Sequence, residues 1–275
     1  MPDYAEALEV KTGDPDIRFN NALARGLAIL RCFQLDDRMM GNAEIAERTG
    51  IPKPTVSRLT FTLTTLGYLR YRAEYGQYEL AAGVVGLAYP YLVNEPVPPV
   101  ARPLMQQLAI ETRSNVGLGV QDGLSVLYLE YALGEATMNR RQRVGFRVPL
   151  VRTAMGRACI AAMTPAGRDE VFRRIAEYYP DEWRQIRAGV DEAVAHVQSH
   201  GWCTAVGTFD RSTATVAVPF VHPDGRSVLA FNASANVAHH TPTRMARTGR
   251  RLLDLTDEVR RQLAAGGRGP SLGRA

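Results

Sequence analysis

The chain has 275 residues, of which 45% are apolar, and 33 Lys and Arg against 28 Asp and Glu give a formal charge of +5. This length suits one large domain or two modest ones, and no apolar run is long enough to cross a bilayer, so we expect no membrane partner. The three cysteines are scattered and match no metal spacing, and the acidic N-terminus lacks a leader, so we expect a cytoplasmic, reduced protein without metal or cofactor.

The segment 42–69 is typical of a helix, a tight turn and a second helix. Asn42 is a suitable N-cap for the first helix, and Gly50 stands where a helix ends in the left-handed conformation. Pro52 and Pro54 open the second helix, where a missing amide hydrogen costs little. A helix-turn-helix lays its second helix in a DNA groove, so this segment predicts a DNA-binding module.

The second helix has two distinct faces at about 100° per residue. One face is apolar and is predicted to be buried, with Val56, Leu59, Leu63 and Leu66. On the other, Ser57 and Arg58 are predicted to reach base edges, and Phe61 to touch a thymine methyl. The predicted DNA-contacting residues of this helix are Lys53, Pro54, Thr55, Ser57, Arg58 and Phe61.

A short hairpin after the helix pair predicts a wing. Residues 69–72 and 78–80 alternate in polarity around Gly76, which can adopt a positive φ. Tyr71 is predicted to face the core, with Arg70 and Arg72 toward the DNA backbone or minor groove. Residues 18–80 contain nine Lys and Arg and six acidic residues, so their net charge is only +3. The prediction of DNA binding therefore rests on the positions of the cations and not on the net charge.

Two flanking segments complete this half. Upstream, an apolar stripe predicts a first helix that closes the core; it comprises Leu23, Leu27, Leu30 and Phe33. Residues 81–92 predict an apolar linker helix, which we expect to form a dimer contact; burial within its own chain is the alternative. The prolines of 96–99 then predict an extended hinge.

The remaining chain predicts an α+β domain. A helix over 101–113 precedes a hairpin of strands 116–121 and 125–131, and further strands are predicted at 145–150, 202–208, 213–220 and 227–234. One helix is predicted over 153–162 and another begins at 165. A third ends near 200, and a fourth lies at the C-terminal end. Strands joined by hairpins, with helices outside them, indicate an antiparallel sheet flanked by helices. The predicted division is therefore a flexible N-terminus (1–17), a winged helix-turn-helix (18–80), a linker helix and hinge (81–99), an effector domain (100–264) and a disordered tail (265–275).

A strand-to-helix junction is the candidate ligand site of this domain. The first turn of a helix offers free amide hydrogens and the positive end of its dipole, which suit a carboxylate, and Ala154 and Gly156 are small enough to admit one. Arg152 adds a charged contact or is a surface arginine, and Asp210 accepts from a ligand hydroxyl or caps a loop. Polar residues on the late strands line the pocket or face water. The candidate residues are Arg152, Thr153, Ala154, Met155, Gly156, Asp210, Thr215, Asn232 and Ser234.

The chain resembles the IclR-type bacterial transcriptional regulators along nearly all of its length. The resemblance rests on NALARGLAIL (21–30), AEIAERTGIPKPTVSRL (43–59), RVPLVRTAMGRACIA (147–161) and VAVPFVHPDGRSVLAFNAS (216–234). It implies a winged helix-turn-helix, a linker helix and a GAF-like effector domain, working as a homodimer or a dimer of dimers on a near-palindromic operator. It also implies that the protein controls a catabolic operon in response to a small carboxylic acid, and more narrowly to an acid of an aromatic pathway. Val151 and Arg152 depart from the His and the small residue usual in the family.

A second hypothesis is a metabolite sensor or small-molecule enzyme whose N-terminal half mediates protein contacts. No GxxxxGK[ST], GxSxG or HExxH motif supports an enzyme. His196 and His200 stand four apart on a predicted helix, where they bind a metal or form a solvated pair.

Overall fold

The structure, a computed structural model, describes residues 18–34, 37–134, 142–222, 225 and 227–266. They divide into two units, one ending at Glu95 and the other beginning at Pro96. The predicted flexible segment 1–17 lies outside the described residues, as does the predicted tail beyond Gly266. No helix in the described ranges is both long and apolar enough to cross a membrane.

The first unit contains helices and a β-hairpin in the order that the sequence predicts. Its elements are α1 (Asn21–Arg31), α2 (Asn42–Thr49), α3 (Lys53–Thr65), β1 (Leu69–Arg72), β2 (Gln77–Leu80) and α4 (Gly83–Asn94). The hairpin pairs antiparallel, with Arg70 opposite Glu79. Ile29 of α1, Ile45 of α2 and Val56 of α3 meet in one core, which Leu69 of the hairpin joins. The predicted winged helix-turn-helix is confirmed.

Helix α2 follows the prediction at its C-terminal end and not at its N-terminal end. Gly50 adopts φ 67°, the left-handed helix stop. The N-cap of α2, however, is Gly41, so the prediction for Asn42 is wrong. Asn42 is the first helical residue, and its Oδ1 accepts from the Thr60 hydroxyl at 3.3 Å. It therefore ties α2 to α3 instead of capping α2.

The buried face of α3 is narrower than predicted. Val56 and Leu63 are buried as expected, and Leu59 is half-buried. Leu66 is 63% exposed, and Thr60 is fully buried. At about 100° per residue Leu66 lies about 80° away from Val56, and it is the C-cap residue. Thr60 fits the interior because its one hydroxyl proton is shared between the Val56 carbonyl at 3.0 Å and Asn42 Oδ1 at 3.3 Å.

Helix α1 follows the predicted stripe only in part, since Leu30 and the following Phe33 pack partly buried against the core. Ala28, Ile29 and Cys32 are in the core, whereas Leu23 and Leu27 are exposed. The apolar surface of α1 is therefore broader than the core can cover. Helix α4, the predicted linker helix, buries none of its residues although it is almost wholly apolar.

The second unit is one six-stranded antiparallel sheet with helices on both faces. Its elements are α5 (Val97–Thr112), β3 (Asn115–Asp122), β4 (Ser125–Ala132), β5 (Arg147–Pro149), α6 (Ala154–Ala162), α7 (Pro165–Tyr178), α8 (Trp183–His200), β6 (Cys203–Val206), β7 (Thr213–Val221), β8 (Val228–Asn236) and α9 (Pro242–Gly266). The strand order is β5-β4-β3-β8-β7-β6. Helices α6, α7 and α8 pack on one face, and α5 and α9 on the other. The predicted α+β class is confirmed.

Both predicted ends of this unit need correction. The hinge is not extended through 97–99, because Pro96 is the N-cap of α5 and Pro98 and Pro99 lie in its first turn, where an amide hydrogen has no helical partner. The tail does not begin at 265, because α9 continues to Gly266.

Candidate nucleic-acid interface and effector recess

The outer face of α3 presents the predicted recognition residues to solvent. Lys53, Pro54, Ser57, Arg58 and Phe61 are exposed, Phe61 to 72%, whereas Thr55 is half-buried. Among the described residues neither Lys53 nor Arg58 has an ion-pair partner, so both cations are available to phosphates or base edges. This face is polar and cationic around one exposed ring.

The wing arginines, in contrast, are already paired. Arg72 contacts the Glu79 carboxylate at 2.8 Å and Arg70 contacts it at 3.5 Å. Both guanidinium groups remain exposed, but a phosphate has to compete with Glu79 for them. Tyr71 does not face the core as predicted; it is exposed and its ring packs on that of Tyr78, with centroids 4.9 Å apart.

The second unit has a recess between the sheet and the start of α6. The recess is open to solvent, and the space between its lining residues is about 410 Å³ when the solvent at its mouth is included. Seven of the nine predicted ligand residues line it: Arg152, Thr153, Ala154, Asp210, Thr215, Asn232 and Ser234. Thr213 also lines it, as the two-residue period that pairs it with Thr215 on one strand face predicts. Sequence reasoning did not select its other lining residues: Tyr128, Gln142, Val148, Ala205, Thr208 and Phe209.

The start of α6 is held by a threonine that makes two hydrogen bonds. Thr153 is the N-cap; its Oγ1 accepts from the Gly156 amide at 3.1 Å and donates to the Pro149 carbonyl at 2.9 Å. Ala154 then brings the first turn to the wall of the recess. First-turn amides have no carbonyl partner within the helix, so this wall is electropositive.

Arg152 is the one cation among the lining residues that the structure describes, and it also reaches the α7–α8 corner. Its Nη2 donates to both carboxylate oxygens of Glu182 at 3.1 Å, and its guanidinium lies 5.1 Å from the centre of the Tyr179 ring. Its backbone carbonyl accepts from the Thr208 hydroxyl at 2.6 Å. The arginine is therefore held at the recess by three neighbours.

Met155 and Gly156 are placed in the packed interior and do not line the recess. Both are buried, Met155 completely. A Cβ on Gly156 would collide with the backbone of Leu150. The small size of Gly156 thus permits close packing of α6 on the preceding loop, which from sequence looks the same as room for a ligand.

Asp210 is the acidic group of the recess. Burial acts to raise the pKa of its carboxyl, but the hydroxyl and amide of Ser212 donate to it at 2.7 and 2.9 Å, and the net effect holds the pKa below its ordinary value. Asp210 is therefore ionised at neutral pH and accepts hydrogen bonds only.

The histidine pair on α8 is stacked. The His196 and His200 rings lie 4.3 Å apart, and His196 Nδ1 is 2.6 Å from the Trp202 carbonyl oxygen. Within the described ranges no group of three or more His, Cys, Asp or Glu residues has metal-binding geometry.

Two family models together cover most of the chain. The IclR helix-turn-helix domain matches residues 22–73, and the bacterial transcriptional regulator IclR C-terminal domain matches residues 89–261. The chain belongs to the IclR family. It is therefore a helix-turn-helix transcriptional regulator with a DNA-binding and an effector-binding domain, and its relatives are regulators, not enzymes.

Individual relatives agree with this assignment. The chain is 30% identical over 240 residues to the Pca regulon regulatory protein of Pseudomonas putida, covering 86% of this chain and 81% of that protein. It is 29% identical over 251 residues to the transcriptional regulator TsaQ1/TsaQ2 of Comamonas testosteroni, covering 89% of each.

Solved structures share the architecture. An IclR-family regulator from Brucella abortus is 39% identical with a TM-score of 0.80, covering 96% of this chain and all of that one. An IclR homologue from Microbacterium hydrocarbonoxydans, complexed with 4-hydroxybenzoate, is 21% identical with a TM-score of 0.69, covering 89% and 99%. At that identity the second similarity shows the fold alone.

Proposed function

We propose that this IclR-family regulator binds a near-palindromic operator of a catabolic operon, and that a small organic acid in the recess sets its affinity for that operator. Residues 18–80 read the DNA, 81–99 connect, and 100–264 bind the acid. The observation that carries the proposal is the recess itself, where a helix N-terminus, Arg152 and polar strand residues converge. Such a combination of backbone amides and a cation suits one carboxylate.

On the DNA side, α3 enters the major groove. Lys53, Thr55 and Arg58 anchor it, Ser57 and Arg58 reach base edges, and Phe61 touches a thymine methyl. The exposure of this face supports that docking, as does the lack of an ion-pair partner for Lys53 and Arg58 within the part of the chain that the structure describes. The wing arginines contact the backbone or the minor groove, in competition with Glu79.

The protein acts as a homodimer or a dimer of dimers. Large apolar side chains are exposed on both α1 and α4 of the first unit: Leu23, Leu27, Val85, Leu87, Tyr89 and Val93. Apolar surface of this extent is typical of an association site. A dimer also matches a near-palindromic site with half-sites one or more helical turns apart.

The names of relatives support an aromatic-pathway acid as the effector. The relatives include Pca regulatory proteins and a p-hydroxybenzoate hydroxylase transcriptional activator, and one homologous structure contains 4-hydroxybenzoate. We transfer the class of acid from these proteins to this chain only as a proposal.

Fluorescence anisotropy tests the proposal, using labelled intergenic DNA from upstream of the protein's own gene. A bound acid is expected to change operator affinity by about 5- to 150-fold, the usual range of allosteric coupling. Arg58→Ala should lose about 1–3 kcal/mol at one base position, whereas Arg70→Ala should weaken binding to all sequences and reduce the salt slope. An acid that binds tightly but leaves DNA affinity unchanged would refute regulation through this recess.

A further inference from the structure

Two buried polar side chains converge on the sheet wall of the recess. Tyr128 comes from β4 and Asn232 from β8, and the two strands are separated by β3. A Cβ on Gly117 of β3 would collide with the Tyr128 ring and would lie 2.6 Å from Asn232 Oδ1. The glycine therefore makes the space in which the two side chains meet.

The two side chains fill only part of each other's hydrogen-bonding capacity. Asn232 Nδ2 donates to the Tyr128 hydroxyl oxygen at 3.1 Å. Asn232 Oδ1 has no hydrogen-bond partner, and no described residue accepts the Tyr128 hydroxyl proton. Tyr128 is 2% exposed and Asn232 4%, so bulk water does not compensate. Burial raises the pKa of Tyr128, which keeps its phenol protonated as a donor.

The free groups are thus one donor and one acceptor, side by side. A hydroxyl complements both, since it donates once and also accepts. A carboxylate only accepts, so it leaves Asn232 Oδ1 facing another oxygen.

The charge of the recess points the same way. Arg152 is the only cation among its described lining residues, and Asp210 is an ionised acid. One ligand carboxylate has the first turn of α6 and Arg152 as partners, and it competes with Glu182 for that arginine. A second carboxylate on the same ligand has no cation left and is repelled by Asp210.

We propose that the recess selects a hydroxylated monocarboxylic acid, whose hydroxyl donates to Asn232 and accepts from Tyr128, over the dicarboxylic acid of the same skeleton and over the unsubstituted acid. This inference rests on the proposed function, in which the recess is the effector site, and adds the chemical class of the effector.

Isothermal titration calorimetry on the full chain tests the selection with two series of probes. One series is 4-hydroxybenzoate, benzoate and terephthalate; the other is 6-hydroxyhexanoate, hexanoate and adipate. In the series that fits, the hydroxy acid should bind about 10-fold or more tightly than the unsubstituted acid, because that acid leaves the buried pair unpaired. The dicarboxylate should bind most weakly.

Variants separate the pair from its surroundings. Tyr128→Phe and Asn232→Leu should bring the ratio of hydroxy acid to unsubstituted acid close to one, with little change for the unsubstituted acid. Thr256→Val is the matched control, because Thr256 is a buried hydroxyl of α9, on the opposite face of the sheet from α6, and donates to the Leu253 carbonyl at 2.8 Å without lining the recess; it should keep the wild-type ratio. Thermal melts identify any variant that fails to fold, in which case the other of the two decides.

The outcomes distinguish the two proposals. A wild-type ratio near one, or a dicarboxylate that binds most tightly, overturns the hydroxyl selection while the effector site stands. If neither series binds, the recess is not an acid site, and the proposed function fails together with this inference.

Discussion

Replacing Thr153 by alanine separates the structural role of the α6 cap from its role in the recess. Thr153 Oγ1 accepts from the Gly156 amide and donates to the Pro149 carbonyl. Alanine removes both bonds and leaves a first-turn amide and a buried strand carbonyl without these partners. We expect lower stability and weaker binding of the acid, because the first turn of α6 is no longer fixed.

The magnitude follows from these two bonds. Loss of an N-cap threonine costs about 1 kcal/mol, and loss of one further hydrogen bond about 1 kcal/mol, so Thr153→Ala should cost about 2 kcal/mol. In a unit of this size that corresponds to a drop in melting temperature of about 4–8 °C.

Thr164→Ala is the matched control. Thr164 is the N-cap of α7, and its Oγ1 accepts from the Gly167 amide at 3.2 Å, the same position in the helix as in α6. It does not line the recess and has no counterpart of the Pro149 bond in the described hydrogen bonds. It should therefore cost about 1 kcal/mol and leave acid binding unchanged.

Urea denaturation and calorimetry with a bound acid provide the two readouts. Thr153→Ser should recover both stability and affinity, since serine retains the hydroxyl. If the two alanine variants lose equal stability, the bond to Pro149 contributes nothing. If Thr153→Ala and Thr164→Ala bind the acid equally well, the N-terminus of α6 does not hold the carboxylate.

Three further predictions address other parts of the chain. Glu79→Gln frees both wing arginines, so the affinities for operator and for unrelated DNA should rise together and their salt dependence should steepen. Glu74→Gln removes the same charge and should have a smaller effect. Equal effects of the two variants in anisotropy titrations would contradict the pairing of Glu79 with Arg70 and Arg72. Burial and the charge of Arg244 lower the pKa of His240 from 6.5 to about 4. The contribution of His240 to folding stability is therefore complete above pH 6.5 and falls as the pH decreases. Urea titrations should show a loss of about 2 kcal/mol between pH 7.5 and 5, and His240→Gln should reduce that loss. Gly156→Ala should cost about 1–3 kcal/mol or more by its clash with Leu150, and a melt equal to wild type would show that the backbone can yield there.

Local patterns were sufficient for the DNA-binding half. The left-handed Gly50, the proline-initiated α3 and the period of Val56 and Leu63 all depend on neighbours within one helix turn or one tight turn. The same local reasoning failed where a second element decides the outcome. Thr60 is buried because Asn42 of α2 lies beside it, and the wing arginines are paired because β2 brings Glu79 opposite β1.

The amino-acid sequence by itself determined the family, the order of the elements and the junction at Thr153, since each depends on residues close together in the chain. Only the tertiary structure decided which further side chains complete the recess and which predicted ones turn away from it. Tyr128 and Asn232 are 104 residues apart and meet because β3 pairs with both β4 and β8. Met155 and Gly156 turn inward because α6 packs directly on the loop before it. Sheet pairing and close packing act between segments distant in sequence, so no spacing along the chain encodes them.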